Sequence, residues 1–333
     1  MARPLESVPV PPELPTLVID RRHSRSVRSR VVTAALQRAV TPYMRKLTST
    51  RELTPELLSG LAKFDELAAK GPVPKGTRTE PIRVGELAAE WVHGARVGNT
   101  RHGVILYLHG GGWLFGGLNS HRALTSRISS ASGKPVLALD YRMVPKVDFD
   151  QEIEDCVAGY RWLLDRGIHP EHIVIMGDSA GGYLTVATAL RARSYGLPMP
   201  AALVGISGVY DMDTASKAAH ANAKLDPTGS LAALDWMMEV VLGGLDPADP
   251  KVSPLRADLA GLPPTLLTVS SSEIIYCDSE DLARALVAAG VPCTLQAWDG
   301  QMHVFQALAP LIPEAKWAIG DIGDFVRAAL DGS

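Results

Sequence analysis

Five short apolar runs punctuate the chain: Val104–Leu108, Pro135–Leu139, Ile173–Met176, Ala201–Ile206 and Thr265–Val269. None alternates with polar residues, and turn-forming residues bound each one. Such runs are the pattern of strands buried on both faces. Between them the spacing changes to a helical period over Ile153–Leu164, Tyr183–Ala192 and Leu282–Ala289. Strand and helix in alternation predict a mostly parallel sheet with helices on both faces, an α/β fold. Pro81–Val92 predicts two short strands meeting near Gly85, and Pro292–Trp298 one further strand before a last helix.

Two stretches depart from the alternation. Leu53, Leu57, Leu58, Leu61, Phe64, Leu67 and Ala68 recur at helical spacing and stop at Gly71-Pro72, after an extended Pro-rich arm over 1–20. Residues 208–262 hold a helical stretch, Leu231–Leu242, between Pro- and Asp-rich loops. The expected organisation is an arm and cap helices over 1–75, then a catalytic domain over 76–333 whose insertion near 208–262 joins the cap. Arg21, Arg22, Arg25, Arg28 and Arg30 read as a solvated helix face, because the net charge is −3.

Composition narrows the function. With 333 residues, 46% of them hydrophobic and 21% charged, the chain can bury a large core. Its slightly acidic balance offers no field for nucleic acid, and no apolar stretch is long enough to span a membrane. The opening MARPLESVPVPPELP has no apolar signal core, and Cys156, Cys277 and Cys293 are an odd, scattered set. Both features lead to the expectation of a cytoplasmic protein with reduced thiols.

The candidate chemistry centres on Gly177-Asp178-Ser179-Ala180-Gly181-Gly182, which follows an apolar strand and opens a helix of small residues. A serine hydroxyl needs exposure and an adjacent base to become a nucleophile. A sharp strand-to-helix turn supplies the exposure. His109-Gly110-Gly111-Gly112-Trp113 ends an earlier strand and suits an oxyanion hole formed by Gly111, Gly112 and Ala180. His303, in the loop after the last predicted strand, is the expected base. The acid should follow the strand Thr265–Val269, where Glu273, Asp278 and Asp281 are candidates. Glu273 lies closest to the strand end, and Asp278 could equally cap the next helix. His169 and His172 flank Pro170 with no third ligand in view, so no metal or cofactor is expected.

These residues, HGGGW at His109–Trp113, DYR at Asp140–Arg142, GDSAGG at Gly177–Gly182, the segment Glu273–Val291 and His303, resemble the bacterial hormone-sensitive-lipase-like branch of the α/β-hydrolases, a group of carboxylesterases. The likeness spans 80–330. It implies an eight-stranded, mostly parallel sheet and a cap built from N-terminal helices and an insertion after the sixth strand. It also implies a small-molecule ester substrate with a short to medium acyl chain, and a possible homodimer. Counting back from Ala288-Ala289-Gly290-Val291, the family's catalytic Asp falls on Glu273. Within the branch the chain is similar to a subgroup holding monoterpene lactone hydrolases and some acetyl-hydrolases. The same triad could serve a lactone, an amide or a carbamate, or the scaffold could be a receptor without turnover. Lys146 and the acidic run Phe149-Asp150-Gln151-Glu152 depart from the family pattern, and the expectation is that they alter the pocket or its contact with the cap.

Overall fold

The computed structural model describes residues 17–22, 25–49, 53–98, 102–226 and 230–331. Most of the Pro-rich arm, up to residue 16, lies outside the described residues. Among the described residues nine strands form one sheet: β1 (Val18–Arg22), β2 (Arg78–Val84), β3 (Leu87–His93), β4 (Val104–Leu108), β5 (Val136–Asp140), β6 (Ile173–Asp178), β7 (Ala202–Ile206), β8 (Thr265–Ser270) and β9 (Cys293–Trp298). Their order is β1-β9-β8-β7-β6-β4-β5-β3-β2. Only β3 runs against its neighbours, pairing antiparallel with β2 and β5.

The expected eight strands are therefore corrected to nine. The extra one, β1, comes from the end of the supposed arm and pairs in parallel with β9, Val18 opposite Thr294 and Arg22 opposite Trp298. Counting it, the insertion follows β7. Arg21 and Arg22 end this strand, whereas Arg28 and Arg30 are exposed near the start of α1 (Val27–Ser49).

Strand β4 shows why the apolar runs do not alternate. Val104, Leu106 and Leu108 join the core on one face, Ile105 and Tyr107 the core on the other. The second face is covered by α3 (Leu118–Ser132) and α9 (Pro313–Asp331). The first is covered by α4 (Phe149–Asp165), α5 (Ala180–Ser194) and α8 (Tyr276–Ala288). Helix α3 has no apolar period, because Thr125, Ser126, Ser129 and Ser132 form part of its buried face. Ser132 Oγ donates back to Ile128 O and Thr125 Oγ1 to His121 O, while Ser129 Oγ donates to Lys134 O and Ser126 Oγ meets Thr77 Oγ1, so burial leaves them satisfied.

Before β2, α1 and α2 (Pro55–Ala68) pack on the rest, α1 against α7 (Leu231–Leu242) and α2 against α3. Helix α7 and the short α6 (Ala215–Ala219) belong to the segment between β7 and β8. Thr54 caps α2 by accepting from Leu57 N, and Ser230 caps α7 by accepting from Ala233 N.

Candidate active site

Three consecutive strand ends and a late loop converge on one place. Ser179 sits between β6 and α5 at φ 53° and ψ −119°, a backbone conformation costly for a residue with a side chain. The turn closes because Gly181 lies against the end of β4, where a Cβ would overlap the Leu108 carbonyl. His303 lies in the loop between β9 and α9. Its Nε2 is 2.8 Å from Ser179 Oγ and its Nδ1 is 2.6 Å from Glu273 Oε2. Glu273, fully buried after β8, also accepts at Oε1 from Ser207 Oγ and Ser270 N, both at 2.8 Å. The structure thus brings together the serine, the histidine and the first of the candidate acids.

Asp278 has a different place. It lies in the first turn of α8 rather than at its cap, where it forms a 2.8 Å ion pair with the fully buried Lys217. Its other oxygen accepts from Tyr210 N and Asp211 N. Asp281 pairs with Arg284 on the surface. Cys277 is buried, and burial together with the Asp278 charge pushes its thiol up to about 11. His169 stands 3.5 Å from Glu171 and is exposed. Among the described residues no group of three or more His, Cys, Asp or Glu side chains is arranged so that it could hold a metal ion.

The glycine loop borders the same site. Gly111 takes φ 133° and turns back so tightly that a Cβ would overlap the Phe115 carbonyl. Among the described residues nothing accepts from the N–H groups of Gly111, Gly112 and Ala180, the last of which opens α5. Trp113 anchors the loop by packing edge-on against Tyr183 of α5 and Phe149 of α4. On the opposite side, Met237 of α7 lies over the loop, its sulfur 2.5 Å from where a Cβ of Gly112 would stand.

Behind the loop is a polar network that the sequence did not announce. Asp178 Oδ1 accepts from Tyr107 Oη at 2.6 Å and from Gly110 N at 3.2 Å, and Oδ2 lies 3.4 Å from His121 Nε2. Burial opposes charge on Asp178, but the His121 charge and these hydrogen bonds outweigh it and hold its carboxyl below the usual range. His121 moves up for the complementary reason. Burial, with the His121 charge beside it, instead pushes His109 down to about 4. At His303 the desolvation that disfavours charge is outweighed by Glu273, through its charge and hydrogen bond, with Asp226 and Asp178 adding to it. The imidazole is raised above its ordinary value.

The residues that depart from the family pattern bond within the sheet-bearing part of the chain. Glu152 is buried and accepts from Val144 N at 2.6 Å, Asp150 pairs with Arg191 of α5 at 2.5 Å, and Lys146 is exposed. Phe149, from the same run, packs edge-on against Trp113 of the glycine loop. Burial pushes the Glu152 carboxyl up to about 9, so it is neutral at pH 7.

A family model described as alpha/beta hydrolase fold matches residues 105–307. The chain is 41% identical to an acetyl-hydrolase of Streptomyces hygroscopicus over 77% of its own length and 84% of that protein. It is 42% identical to the esterase LipU of Mycobacterium tuberculosis over 68% and 77%. Among solved structures, EstE5 soaked in ethyl alcohol superposes with a TM-score of 0.84 at 37% identity, covering 92% of this chain and 99% of that one. An esterase from the bacterial hormone-sensitive lipase family gives 0.80 at 36% identity, covering 92% and 100%. The chain belongs to the α/β-hydrolases, in their bacterial hormone-sensitive-lipase-like branch.

Proposed function

We propose that this esterase cleaves carboxylic esters of short to medium acyl chains through Ser179, His303 and Glu273, by way of an acyl-enzyme. The observation that carries the reading is the position of His303, within hydrogen-bond reach of both the serine hydroxyl and a fully buried carboxylate. His303 takes the Ser179 proton at Nε2 as Oγ attacks the acyl carbon. The charge that develops on the carbonyl oxygen is received by the N–H groups of Gly111, Gly112 and Ala180. His303 then protonates the leaving alcohol, and water releases the acid by the reverse sequence. Glu273 fixes the tautomer with the proton on Nδ1 and stabilises the imidazolium as it forms.

Helices α1 and α2 and the segment between β7 and β8 form the cap in this reading. Met237, lying against Gly112, limits the acyl side of the cleft. The match to an acetyl-hydrolase agrees with a short acyl group. Among the described residues no helix is long and apolar enough to cross a membrane. Cys156, Cys277 and Cys293 are buried and unpaired, in keeping with the cytoplasmic location expected from the sequence.

The test is a hydrolysis panel of p-nitrophenyl esters of increasing acyl length, with a lactone, an acetanilide and an aryl carbamate. Fastest turnover on short acyl esters, lost in Ser179→Ala, is expected. A folded protein that turns over none of them would contradict the reading and favour a receptor.

A further inference from the structure

The loop that carries Glu273 is held along its whole length by the segment between β7 and β8. Lys217 pairs with Asp278, and the His220 ring packs 6.1 Å from that of Tyr276. Asn222, in the 3-10 turn Ala221–Lys224, spends both amide protons on this loop. Its Nδ2 donates to Ser271 O at 2.7 Å and to Glu273 O at 2.8 Å. Asp226 Oδ2 accepts from Ile274 N at 2.8 Å, closing the grip on the far side of Glu273. Asn222 is only 5% exposed, and its own carbonyl accepts from Leu225 N and Asp226 N, so the turn that presents it is itself fixed.

We propose that Asn222 is a positioning residue for hydrolysis: by clamping the carbonyls of Ser271 and Glu273 it sets where the Glu273 carboxylate meets His303, so the cap segment holds the acid of the site as well as covering the cleft. The proposal rests on the triad reading above. Its physical basis is the arrangement of constraints on Glu273. Ser207 and Ser270 fix one carboxylate oxygen from the sheet side, and His303 takes the other. Besides the Asn222 amide, the Glu273 backbone makes the turn bonds Glu273 N to Ser270 O and Tyr276 N to Glu273 O, and its neighbours are tied by Ser271 N to Trp298 O and Ile274 N to Asp226 Oδ2. Without the amide, the part-buried Ser271 carbonyl and the buried Glu273 carbonyl each lose a donor and the loop can relax away from His303. A shift of about 1 Å at the Glu273–His303 pair is felt in turnover, because the orientation of the base, not substrate binding, is what changes.

The experiment compares wild type with Asn222→Leu, which keeps the branched shape and removes both donors, and with Asn222→Ala, which avoids overpacking if the larger leucine disturbs folding. Steady-state kinetics on a short p-nitrophenyl ester are measured beside the rate at which a fluorophosphonate labels Ser179. The low-field proton resonance of His303 Nδ1–H is recorded for each protein. The expected result is a kcat lower by about ten- to a hundredfold with KM within about threefold of wild type. Ser179 labelling slows in proportion, and the His303 resonance shifts or broadens. A folded variant whose kcat stays within about threefold of wild type, whose loss is confined to KM, or whose His303 resonance is unmoved overturns the proposal. A wild-type protein that turns over no ester would instead sink the triad reading. The resonance comparison would still report whether Asn222 holds the acid against the imidazole.

Discussion

Replacing Lys217 by Met should destabilise the fold by about 3–5 kcal/mol at pH 7, the range for removing one member of a buried ion pair. Lys217 is fully buried and Asp278 1% exposed at the side chain. The ammonium lies 2.8 Å from Asp278 Oδ1 and donates to the carbonyls of Asp211 at 2.6 Å and Asp213 at 3.0 Å. Methionine fills most of the space, so little of the loss comes from a cavity. What remains is a buried carboxylate with one oxygen stripped of its cation and the other still held by Tyr210 N and Asp211 N. Burial already raises the Asp278 carboxyl against the pull of Lys217, and without that pull it rises further. A carboxyl whose folded pKa exceeds its unfolded one binds a proton on folding. The deficit against wild type therefore grows as pH climbs past the already raised folded value of Asp278 in the wild type, and shrinks towards pH 4, where both proteins hold the carboxyl protonated. Urea midpoints at pH 5 and pH 7 check both points, with an unchanged m-value showing that stability alone has moved. A loss below about 1 kcal/mol at pH 7, or one equal at the two pH values, would refute the reasoning.

Glu273→Gln should lower kcat/KM by about 10³–10⁴, whereas Asp278→Asn should cost stability and leave kcat within about threefold; equal losses in both would return Asp278 to candidacy. The same Glu273 variant should move the acidic limb of the kcat/KM profile to lower pH. The carboxylate that holds His303 above its ordinary value is gone, and the neutral base then persists further into acid. Met237→Ala should raise relative kcat/KM for longer acyl chains by opening space beside Gly112, and an unchanged chain-length profile would rule Met237 out as a limit. Glu152→Gln should leave stability at pH 5 nearly unchanged and raise it at pH 8. The wild-type carboxyl must bind a proton to be buried, and that requirement costs more as pH rises towards about 9. A urea midpoint no higher than wild type at pH 8 would contradict this.

The sheet was legible because strands buried on both faces must be apolar throughout, and each expected run falls within a residue or two of its strand. Strand β1 was not: VIDRR carries three charges, and it forms by edge pairing to β9, which no local pattern encodes. Helix α3 was hidden by its serine-rich buried face. At the site, chain order and glycine placement pointed to Ser179, His303 and the loop of Glu273, since each ends a strand or follows one. Ser207 was missed, although its position just past the apolar run of β7 could have marked it as a strand-end residue beside the loop of Glu273. Asn222, Asp226 and Met237 carried no signal at all. Their contacts join segments distant in sequence, and only the tertiary fold places them against Ser271–Ile274 and Gly112. The Asp178–His121 pair belongs with them: the aspartate stood inside the motif, but its partner lay in a helix with no pattern.

The central claim, covalent catalysis at Ser179, is tested most directly by mixing the protein with p-nitrophenyl acetate, quenching in acid within the first turnover, and mapping peptides by mass spectrometry. The account predicts an acetyl group on the peptide bearing Ser179, formed with a burst of p-nitrophenol and absent from Ser179→Ala. Turnover with no acylated Ser179, or the same acetylation in Ser179→Ala, would contradict it.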